Sequence, residues 1–433
     1  MNGRGLGRRR VVIEGKARLS GELTAPPSKS YCHRALICSS LSEGKSRIFK
    51  FSRCDDALAT LSVLRRMGIE IDLAADDATS IVHGAEPREP EDVLECGESA
   101  STLRMCLPIA ASKGLFAVFS GKGSLSKRPI GPVIDALRSL GAEVLSRSGY
   151  LPVAISGSGY KTDRVRVDGG FGSQHISGLL LSSPLSPHGI RIDVDGEPSS
   201  RPYLDLTVQV MEHYGVSVER DGYRSFRVLP GRRYEGRDLS VPGDYSSASF
   251  IMAAALSTRS SISLLGLPSG DFPDSQILHL MGRMGAEVRL DRGRLLLSSS
   301  GLKGIDVDSH DIGDLVPPLT VMACFAEGST RLRGVSRLST KESSRAEALV
   351  SELRKMGGSL DIDGDDLVVN GVKALRGSEV SSWGDHRIEM ALTAAALGAE
   401  GETTIDDAMT VTKSYAEFYE DLRSLGAGIH AGQ

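Results

Sequence analysis

The sequence predicts an α/β fold (α+β type) built from six repeated units, because of its length, its spaced glycines and two series of helices. The chain has 433 residues, which at about 150 residues per domain gives two or three domains. Hydrophobic residues make up 40% and charged residues 24%, which excludes a disordered or disulfide-stapled protein. The net charge of −4 and the aromatic content of 5% argue against binding to nucleic acid or a membrane.

The first series consists of amphipathic helices that each end at a glycine and lead directly into a strand. Leu64–Ile71 and Leu137–Val144 show the pattern: an apolar residue, three further positions, then glycine and an alternating strand. A glycine just after the last turn is a common helix terminator. The glycines lie 73, 74, 70, 72 and 69 residues apart, so a period of about 72 residues accounts for the whole chain: Gly68, Gly141, Gly215, Gly285, Gly357 and Gly426.

The second series consists of helices that are apolar on nearly every face, which predicts that they lie inside a core. Each repeat therefore contains a buried helix, an exposed helix and several short strands. The starts of the buried helices carry Ser, Asp and Thr, which are good N-caps, and helix N-termini attract anions. These starts are spaced by 71, 72, 73, 68 and 72 residues: Ser30, Ser101, Ser173, Ser246, Asp314 and His386.

Basic residues recur near several of these starts. Lys29 and Arg34 flank the first start, and Arg104, Lys127 and Arg128 follow the second. Lys341 and Arg345 belong to the fifth repeat, and Arg387 and Lys413 to the sixth, whereas the third start offers the neutral Gly172, Ser173 and Gln174. Simple capping and surface charge remain the alternatives. The recurrence at one phase favours a cleft that binds an anionic substrate.

Other classes of protein lack support in the sequence. The six cysteines show no metal-ligand spacing, so we expect reduced thiols in a cytoplasmic protein and neither a metal nor an organic cofactor. Met1–Arg10 is basic, but no apolar segment follows it, so a signal peptide is not expected. Gly44-Lys45-Ser46 imitates a phosphate-binding loop but lacks its first glycine, and His33 and His386 are interpreted as structural histidines.

Eight motifs in order along the chain resemble the 5-enolpyruvylshikimate-3-phosphate synthase family. The resemblance covers essentially the full length. The motifs are Pro27-Ser28-Lys29-Ser30 with Arg34, Lys127–Ile130, Ser173-Gln174, Ser200–Tyr203, Gly243–Ser249, Lys341–Arg345, Gly384–Arg387 and Lys413.

The resemblance implies a two-domain inside-out barrel of six βαβαββ repeats, with buried parallel helices in each domain. One domain would comprise residues 28–241 and bind mainly shikimate 3-phosphate. The other would comprise residues 1–27 and 242–433, and would bind mainly phosphoenolpyruvate and carry the catalytic aspartate. A monomer is expected, and the partners are these two small molecules.

The implied reaction moves the enolpyruvyl group of phosphoenolpyruvate to the 5-hydroxyl of shikimate 3-phosphate and releases phosphate. Asp314 would accept the hydroxyl proton, Glu342 would deliver and later remove a proton at the methylene carbon, and Lys29 or Lys413 would assist. Glu342 could instead merely pair with Arg345 on one helix turn. The residues implied to bind shikimate 3-phosphate are Lys29, Ser30, Arg34, Gly172, Ser173, Gln174, Ser200, Tyr203, Asp314 and Lys341. Those implied to bind phosphoenolpyruvate are Lys29, Ala100, Arg128, Gln174, Arg345, Arg387 and Lys413.

The chain departs from the family pattern at Glu98, Ala100, Ser124, Gly172 and Ser344. Glu98 would place a negative charge near an anion site unless Arg104 or Lys127 pairs with it. An inactive ligand-binding paralogue is therefore one alternative, and a UDP-N-acetylglucosamine enolpyruvyl transferase is another. The latter family has Lys-Asn at positions 29–30 and a reactive cysteine in the segment 121–129, and neither is present here.

Overall fold

The computed structural model describes residues 10–75, 78–157 and 159–432. The chain forms two compact units. The central unit is Pro27–Pro242, and the terminal unit is Met1–Pro26 with Gly243–Gln433. The segment that we did not expect to be a signal peptide lies outside the described residues except for Arg10. The predicted α/β fold class is confirmed, because helices and sheets alternate along both units.

Twelve α-helices occur in the described part of the chain. The central unit contains α1 (Lys29–Ser40), α2 (Asp55–Arg66), α3 (Ala100–Lys113), α4 (Gly131–Ser139), α5 (Ser173–Ser182) and α6 (Pro202–His213). The terminal unit contains α7 (Tyr245–Ser257), α8 (Gln276–Arg283), α9 (Val316–Cys324), α10 (Arg345–Lys355), α11 (His386–Gly398) and α12 (Phe418–Ser424). Six 3₁₀ turns accompany them within the same described ranges: Gly123–Lys127, Gly169–Phe171, Ser183–Leu185, Gly313–Leu315, Ser336–Thr340 and Thr410–Lys413.

Three sheets of the central unit share one pairing pattern, in which the first pair of strands is parallel and the next two pairs are antiparallel. In spatial order the first is Tyr234–Glu235, Ser42–Phe49, Thr79–Gly84 and Glu70–Leu73, with Leu239–Ser240 also paired to Ser42–Phe49. The second is Leu94–Glu95, Ala117–Ser120, Tyr150–Ser156 and Glu143–Arg147. The third is Arg164–Asp168, Ile190–Asp195, Ser225–Val228 and Glu219–Asp221.

The terminal unit repeats the same pairing pattern in three further four-stranded sheets. They are Ser20–Thr24, Ser261–Leu265, Arg294–Ser298 and Glu287–Asp291; then Asp306–Asp308, Ser329–Arg333, Asp366–Asn370 and Ser359–Asp363; and finally Glu379–Ser381, Glu402–Asp406, Arg10–Glu14 and Ile429–Ala431. A short parallel pair joins Leu302–Lys303 to Ala326–Glu327.

The two series of helices occupy the positions that the sequence predicts. Every residue of α7 is buried, as are the residues of α11 from His386 to Leu397. The six glycines that follow the other helices all have φ between +85° and +103°. A residue with a side chain is strained in that conformation, so glycine allows each helix to stop and turn into the next strand.

The buried helices differ from the prediction in one detail. Asp314 does not begin an α-helix but lies in the 3₁₀ turn Gly313–Leu315, and α9 starts at Val316. All six cysteines are buried and form no disulfide, as expected for reduced thiols. Within the described ranges, no helix combines the length and apolar character that a membrane crossing requires.

Candidate functional site

In the central unit, Lys29 lies in the first turn of α1 and is held by a carboxylate. Its Nζ is 2.9 Å from Oδ2 of Asp56, which belongs to the first turn of α2. Ser28 caps the helix by accepting a hydrogen bond from the Tyr31 N–H. Since both charged side chains are largely buried, an anion arriving at this helix start would share the ammonium group with Asp56.

Arg34 is fully engaged inside the central unit. Its guanidinium donates to Oγ1 of Thr207 at 2.7 Å and to the Ser30 carbonyl at 2.8 Å. It also donates to Oγ of Ser177 at 3.2 Å and to the Tyr203 carbonyl at 3.1 Å. Burial lowers its pKa to about 10. These bonds tie α1 to α5 and α6, so Arg34 orders two residues implied to bind shikimate 3-phosphate, Ser30 and Tyr203. Its own contact with a ligand stays a prediction.

Gln174, at the start of α5, is oriented by a residue that we did not place in a binding site. Its Oε1 accepts from Nη1 of Arg104 at 2.8 Å, and its Nε2 donates to Oγ of Ser101 at 3.0 Å. Arg104 also donates to the Pro129 carbonyl at 3.3 Å, next to the buried Arg128. Arg104 thus links α3, α5 and the Lys127–Ile130 motif.

The departure at Gly172 has a conformational reason. Gly172 precedes α5 with φ of +94°, a region that disfavours residues with a side chain. Ser200 also has positive φ, at +60°, where a non-glycine residue is strained. Ala100 and Ser173, which are also implied to bind, are the first residues of α3 and α5, and both are buried.

The departures at Glu98 and Ser124 form a pair. Oε2 of Glu98 accepts from the Ser124 hydroxyl at 2.9 Å and from its backbone N–H at 3.2 Å. The Lys122 N–H donates to the Gly97 carbonyl at 2.9 Å beside them. The pairing of Glu98 with Arg104 or Lys127 stays a prediction. The contacts with Ser124 fasten the turn Gly123–Lys127 to the segment that precedes α3.

His33 belongs to a buried chain of hydroxyl groups. Its Nδ1 lies 2.7 Å from Oγ1 of Thr60, which lies 2.7 Å from Oγ1 of Thr102, and Thr102 donates to Oγ of Ser99 at 2.8 Å. Burial lowers the pKa of His33 to about 3, so the ring is neutral at physiological pH. A structural role for His33, as the sequence suggested, fits this arrangement.

In the terminal unit, Asp314 lies between two arginines. Oδ1 accepts from Nη1 of Arg345 and Oδ2 accepts from Nη2 of Arg387, each at 2.9 Å. Burial alone would raise the pKa of Asp314, but the positive charges of Arg387, Lys341 and Arg345 hold it well below its usual range. A quarter of the side chain is exposed, so the carboxylate remains reachable.

Arg345 joins three carboxylates. Besides Asp314, it donates from Nε to Oδ2 of Asp385 at 2.9 Å and from Nη2 to Oε2 of Glu342 at 2.7 Å. Only 2% of its side chain is exposed. Burial would lower the pKa of Arg345, but the three negative charges raise it above its ordinary value. The arginine therefore stays charged and fixes the arrangement of the acids.

Glu342 makes the contact that we left open as an alternative to catalysis, because it pairs with Arg345 three residues along. It also lies 3.5 Å from Lys413, measured from Oε1 to Nζ. Both Glu342 and Lys413 are about nine-tenths buried. The pairing therefore occurs within a larger charge cluster, and the catalytic role of Glu342 stays a prediction.

Asp385 is the third carboxylate that Arg345 contacts, and the motif Gly384–Arg387 did not indicate its role. It caps α11 by accepting from the Arg387 N–H at 2.9 Å, and it accepts from the Ser343 hydroxyl at 3.1 Å. It has no exposed surface. We define the terminal cluster by its six charged residues: Asp314, Glu342, Arg345, Asp385, Arg387 and Lys413.

In both units a basic residue lies in the first turn of a buried helix, Lys29 on α1 and Arg387 on α11, which defines an α/β protein suited to small anionic ligands. Residues 13–422 match the family model of EPSP synthase (3-phosphoshikimate 1-carboxyvinyltransferase). The chain belongs to the EPSP synthase family.

Curated relatives agree with this family over nearly the whole chain. The 3-phosphoshikimate 1-carboxyvinyltransferase of Methanopyrus kandleri is 40% identical, over 98% of this chain and 100% of the relative. The protein of that name from Methanocaldococcus jannaschii is 35% identical, over 97% and 99%. Among solved structures, an EPSP synthase from Acinetobacter baumannii matches with a TM-score of 0.82 and 26% identity, over 98% of this chain and 100% of that one. The enolpyruvyl transferase NikO from Streptomyces tendae, at 19% identity and TM-score 0.79, shares the fold over 98% and 99% of the two chains.

Proposed function

We propose that the protein transfers the enolpyruvyl group of phosphoenolpyruvate to the 5-hydroxyl of shikimate 3-phosphate, in the pathway to chorismate and the aromatic amino acids. The observation that carries the proposal is the terminal cluster, where Asp314 stands between Arg345 and Arg387 in a chain of this family. A reachable carboxylate flanked by buried arginines suits proton transfer next to a bound anion.

We assign residues 28–241 and residues 1–27 with 242–433 to the two domains of an inside-out barrel. Six sheets of the described residues share one pairing pattern, five with four strands and one with five, and they support six βαβαββ repeats. The fully buried α7 and nearly fully buried α11 support the placement of such helices inside the terminal domain, and α5, buried except at Gln174, supports it for the central domain. A cytoplasmic monomer without a cofactor completes the proposal.

Binding two polyanions side by side requires cations that are poorly hydrated. Arg128, Arg387 and Lys413 are each at least nine-tenths buried, which strengthens their attraction for phosphate and carboxylate groups. Arginine also donates two parallel hydrogen bonds to such groups. We therefore assign phosphoenolpyruvate to Lys29, Ala100, Arg128, Gln174, Arg345, Arg387 and Lys413. Shikimate 3-phosphate is assigned to Lys29, Ser30, Arg34, Gly172, Ser173, Gln174, Ser200, Tyr203, Asp314 and Lys341.

The low pKa of Asp314 makes it a weak base as long as no bound anion neutralises the charges of Arg345 and Arg387. An anion bound to Arg345 and Arg387 would neutralise part of their charge and raise the pKa of Asp314 towards its ordinary value. The base thus becomes effective when phosphoenolpyruvate is present. The low pKa would keep the Asp314 carboxylate ionised before phosphoenolpyruvate binds. The raised pKa would then let it accept the hydroxyl proton.

The chemistry is an addition followed by an elimination. The 5-oxygen of shikimate 3-phosphate bonds to C2 of phosphoenolpyruvate while Asp314 accepts the proton of the 5-hydroxyl. Glu342 gives a proton to C3. The bond from C2 to the phosphate oxygen then breaks, phosphate leaves, and Glu342 takes a proton back from C3. Lys413, 3.5 Å from Glu342, and Lys29 assist the phosphate.

Phosphate release from phosphoenolpyruvate tests the proposal, with purified protein and three conditions: shikimate 3-phosphate, UDP-N-acetylglucosamine and no acceptor. Release only with shikimate 3-phosphate, abolished by Asp314→Ala, is the expected result. Release with the UDP-sugar would instead identify the related transferase. Folded protein that releases nothing would point to an inactive paralogue, with Glu98, Gly172 and Ser344 as the first departures to revert.

A further inference from the structure

Glu389 is the one acidic residue of α11, a buried helix that is otherwise largely apolar. It lies on α11, two residues after Arg387, and has no exposed surface. A carboxylate in such a place is costly unless hydrogen-bond donors surround it. The reaction scheme above gives it no task, so its partners decide what it does.

Almost all of its partners lie in one short segment. Oε1 of Glu389 accepts from the Met409 N–H at 2.6 Å, and Oε2 accepts from the Thr410 N–H at 2.7 Å and the Val411 N–H at 3.2 Å. The Thr410 hydroxyl donates to Oε2 as well. The carboxylate therefore satisfies the backbone donors at the start of the 3₁₀ turn Thr410–Lys413, donors that such a turn cannot satisfy itself.

Two further observations concern how Glu389 and this segment are held. Met409 has φ of +78°, an unfavourable conformation for a residue with a side chain, and its N–H is one of those bound. Tyr419 on α12 donates to Oε1 of Glu389 at 2.6 Å. Burial and the nearby carboxylate raise the pKa of Tyr419, so it remains a donor. The carboxylate is thus held from one side while it holds the turn on the other.

The turn ends at Lys413. We propose that Glu389 is a positioning residue, which holds the turn so that the Lys413 ammonium faces Glu342 and is ready for the phosphate of phosphoenolpyruvate. The part concerning phosphoenolpyruvate rests on the proposed function. The placement of Lys413 does not, because it is argued from the contacts of Glu389 with Met409, Thr410 and Val411 and from the 3.5 Å between Lys413 and Glu342.

The first test measures the placement of Lys413 without any turnover. Acetic anhydride acylates accessible amines, and peptide mass spectrometry gives the rate at each lysine. Lys413 is buried and should react slowly, with the exposed Lys16 as an internal reference. Glu389→Gln puts an amide among backbone N–H donors and should accelerate acylation of Lys413 at least tenfold. An unchanged rate in a folded Glu389→Gln protein would overturn the proposal.

A milder pair of variants covers the case in which Glu389→Gln does not fold. Thr410→Val removes one donor to Glu389 and should accelerate acylation of Lys413 about threefold. Thr412→Val is the matched control. It also removes one hydroxyl donor from this turn, but that hydroxyl donates to the Met409 carbonyl at 3.1 Å. It should change the rate less than twofold. Equal effects of the two valine variants would contradict a specific role for Glu389.

The second test asks whether the effect on catalysis passes through Lys413. Glu389→Gln should lower kcat/KM for phosphoenolpyruvate at least tenfold and change KM for shikimate 3-phosphate less than twofold. In a Lys413→Met background, Glu389→Gln should cause little further loss. Multiplying losses, or a rise of more than twofold in KM for shikimate 3-phosphate, would show a merely structural role. If the wild-type protein shows no turnover, the proposed function fails while the acylation rates still decide the placement.

Discussion

Arg345 carries the arrangement of the terminal cluster, and replacing it should destabilise the terminal unit strongly. Arg345→Met removes charge-assisted hydrogen bonds to Asp314, Glu342 and Asp385, all between 2.7 and 2.9 Å. Breaking a buried ion pair on one side typically costs about 3–5 kcal/mol, because the partner charge is left without compensation. Asp314 keeps Arg387 and Glu342 keeps Lys413, so we expect a loss of about 4 kcal/mol within that range.

The loss should depend on pH in a definite direction. Arg345 helps to hold the pKa of Asp314 low, which stabilises the folded state above the ordinary pKa of aspartate and is lost as the pH falls. In Arg345→Met this positive charge is absent, so the buried carboxylates take up protons more readily as the pH falls. The stabilisation from the low pKa is lost only below the ordinary pKa of aspartate, so the difference between wild type and Arg345→Met should be larger at pH 7 than at pH 3.

Urea unfolding followed by tryptophan fluorescence measures this loss, because the single tryptophan, Trp383, lies in the terminal unit. The matched control is Arg354→Met on the same helix, where an exposed pair with Asp361 should contribute at most about 1 kcal/mol. A loss for Arg345→Met below about 1 kcal/mol, or one that is the same at both pH values, would refute the electrostatic account.

Two predictions concern the central unit. Burial lowers the pKa of His33 to about 3, so the unfolded chain takes up a proton below about pH 6.5 that the folded chain does not, and stability falls as the pH falls towards 3. His33→Gln should remove up to about 3 kcal/mol of the loss between pH 7 and pH 4, measured by circular dichroism in urea, whereas the exposed His188→Gln should not. Glu98→Ala should release the turn Gly123–Lys127 and raise its hydrogen-exchange rates about tenfold, since two hydrogen bonds to a charged group are lost. Unchanged exchange would contradict the fastening role of Glu98.

The repeat pattern could be predicted from sequence because it depends on local chemistry. A glycine after each amphipathic helix shows where the chain must adopt positive φ, and all six glycines do so. Helices without a polar face, such as α7, can only lie in a core. These signals recur six times, so they reinforce one another.

The partners of charged residues could not be predicted in the same way, because they lie far apart in the chain. Arg104 meets Gln174 across 70 residues, and Arg345 meets Asp385 across 40. No local sequence pattern predicts such pairs. Glu389 could have been found from the sequence, because the one acidic residue of a largely apolar helix must find hydrogen-bond donors inside the fold.

The central claim is the transfer of an enolpyruvyl group by addition and elimination, and one reaction in D₂O tests it most directly. The protein is mixed with phosphoenolpyruvate and shikimate 3-phosphate, and the product is followed by proton NMR. We predict an enol ether on the 5-oxygen whose vinyl signals are partly replaced by deuterium, because C3 gains a solvent proton and then loses one. Absence of the enol ether would contradict the transfer, and a product with undiminished vinyl signals would contradict the proton delivery and removal at C3.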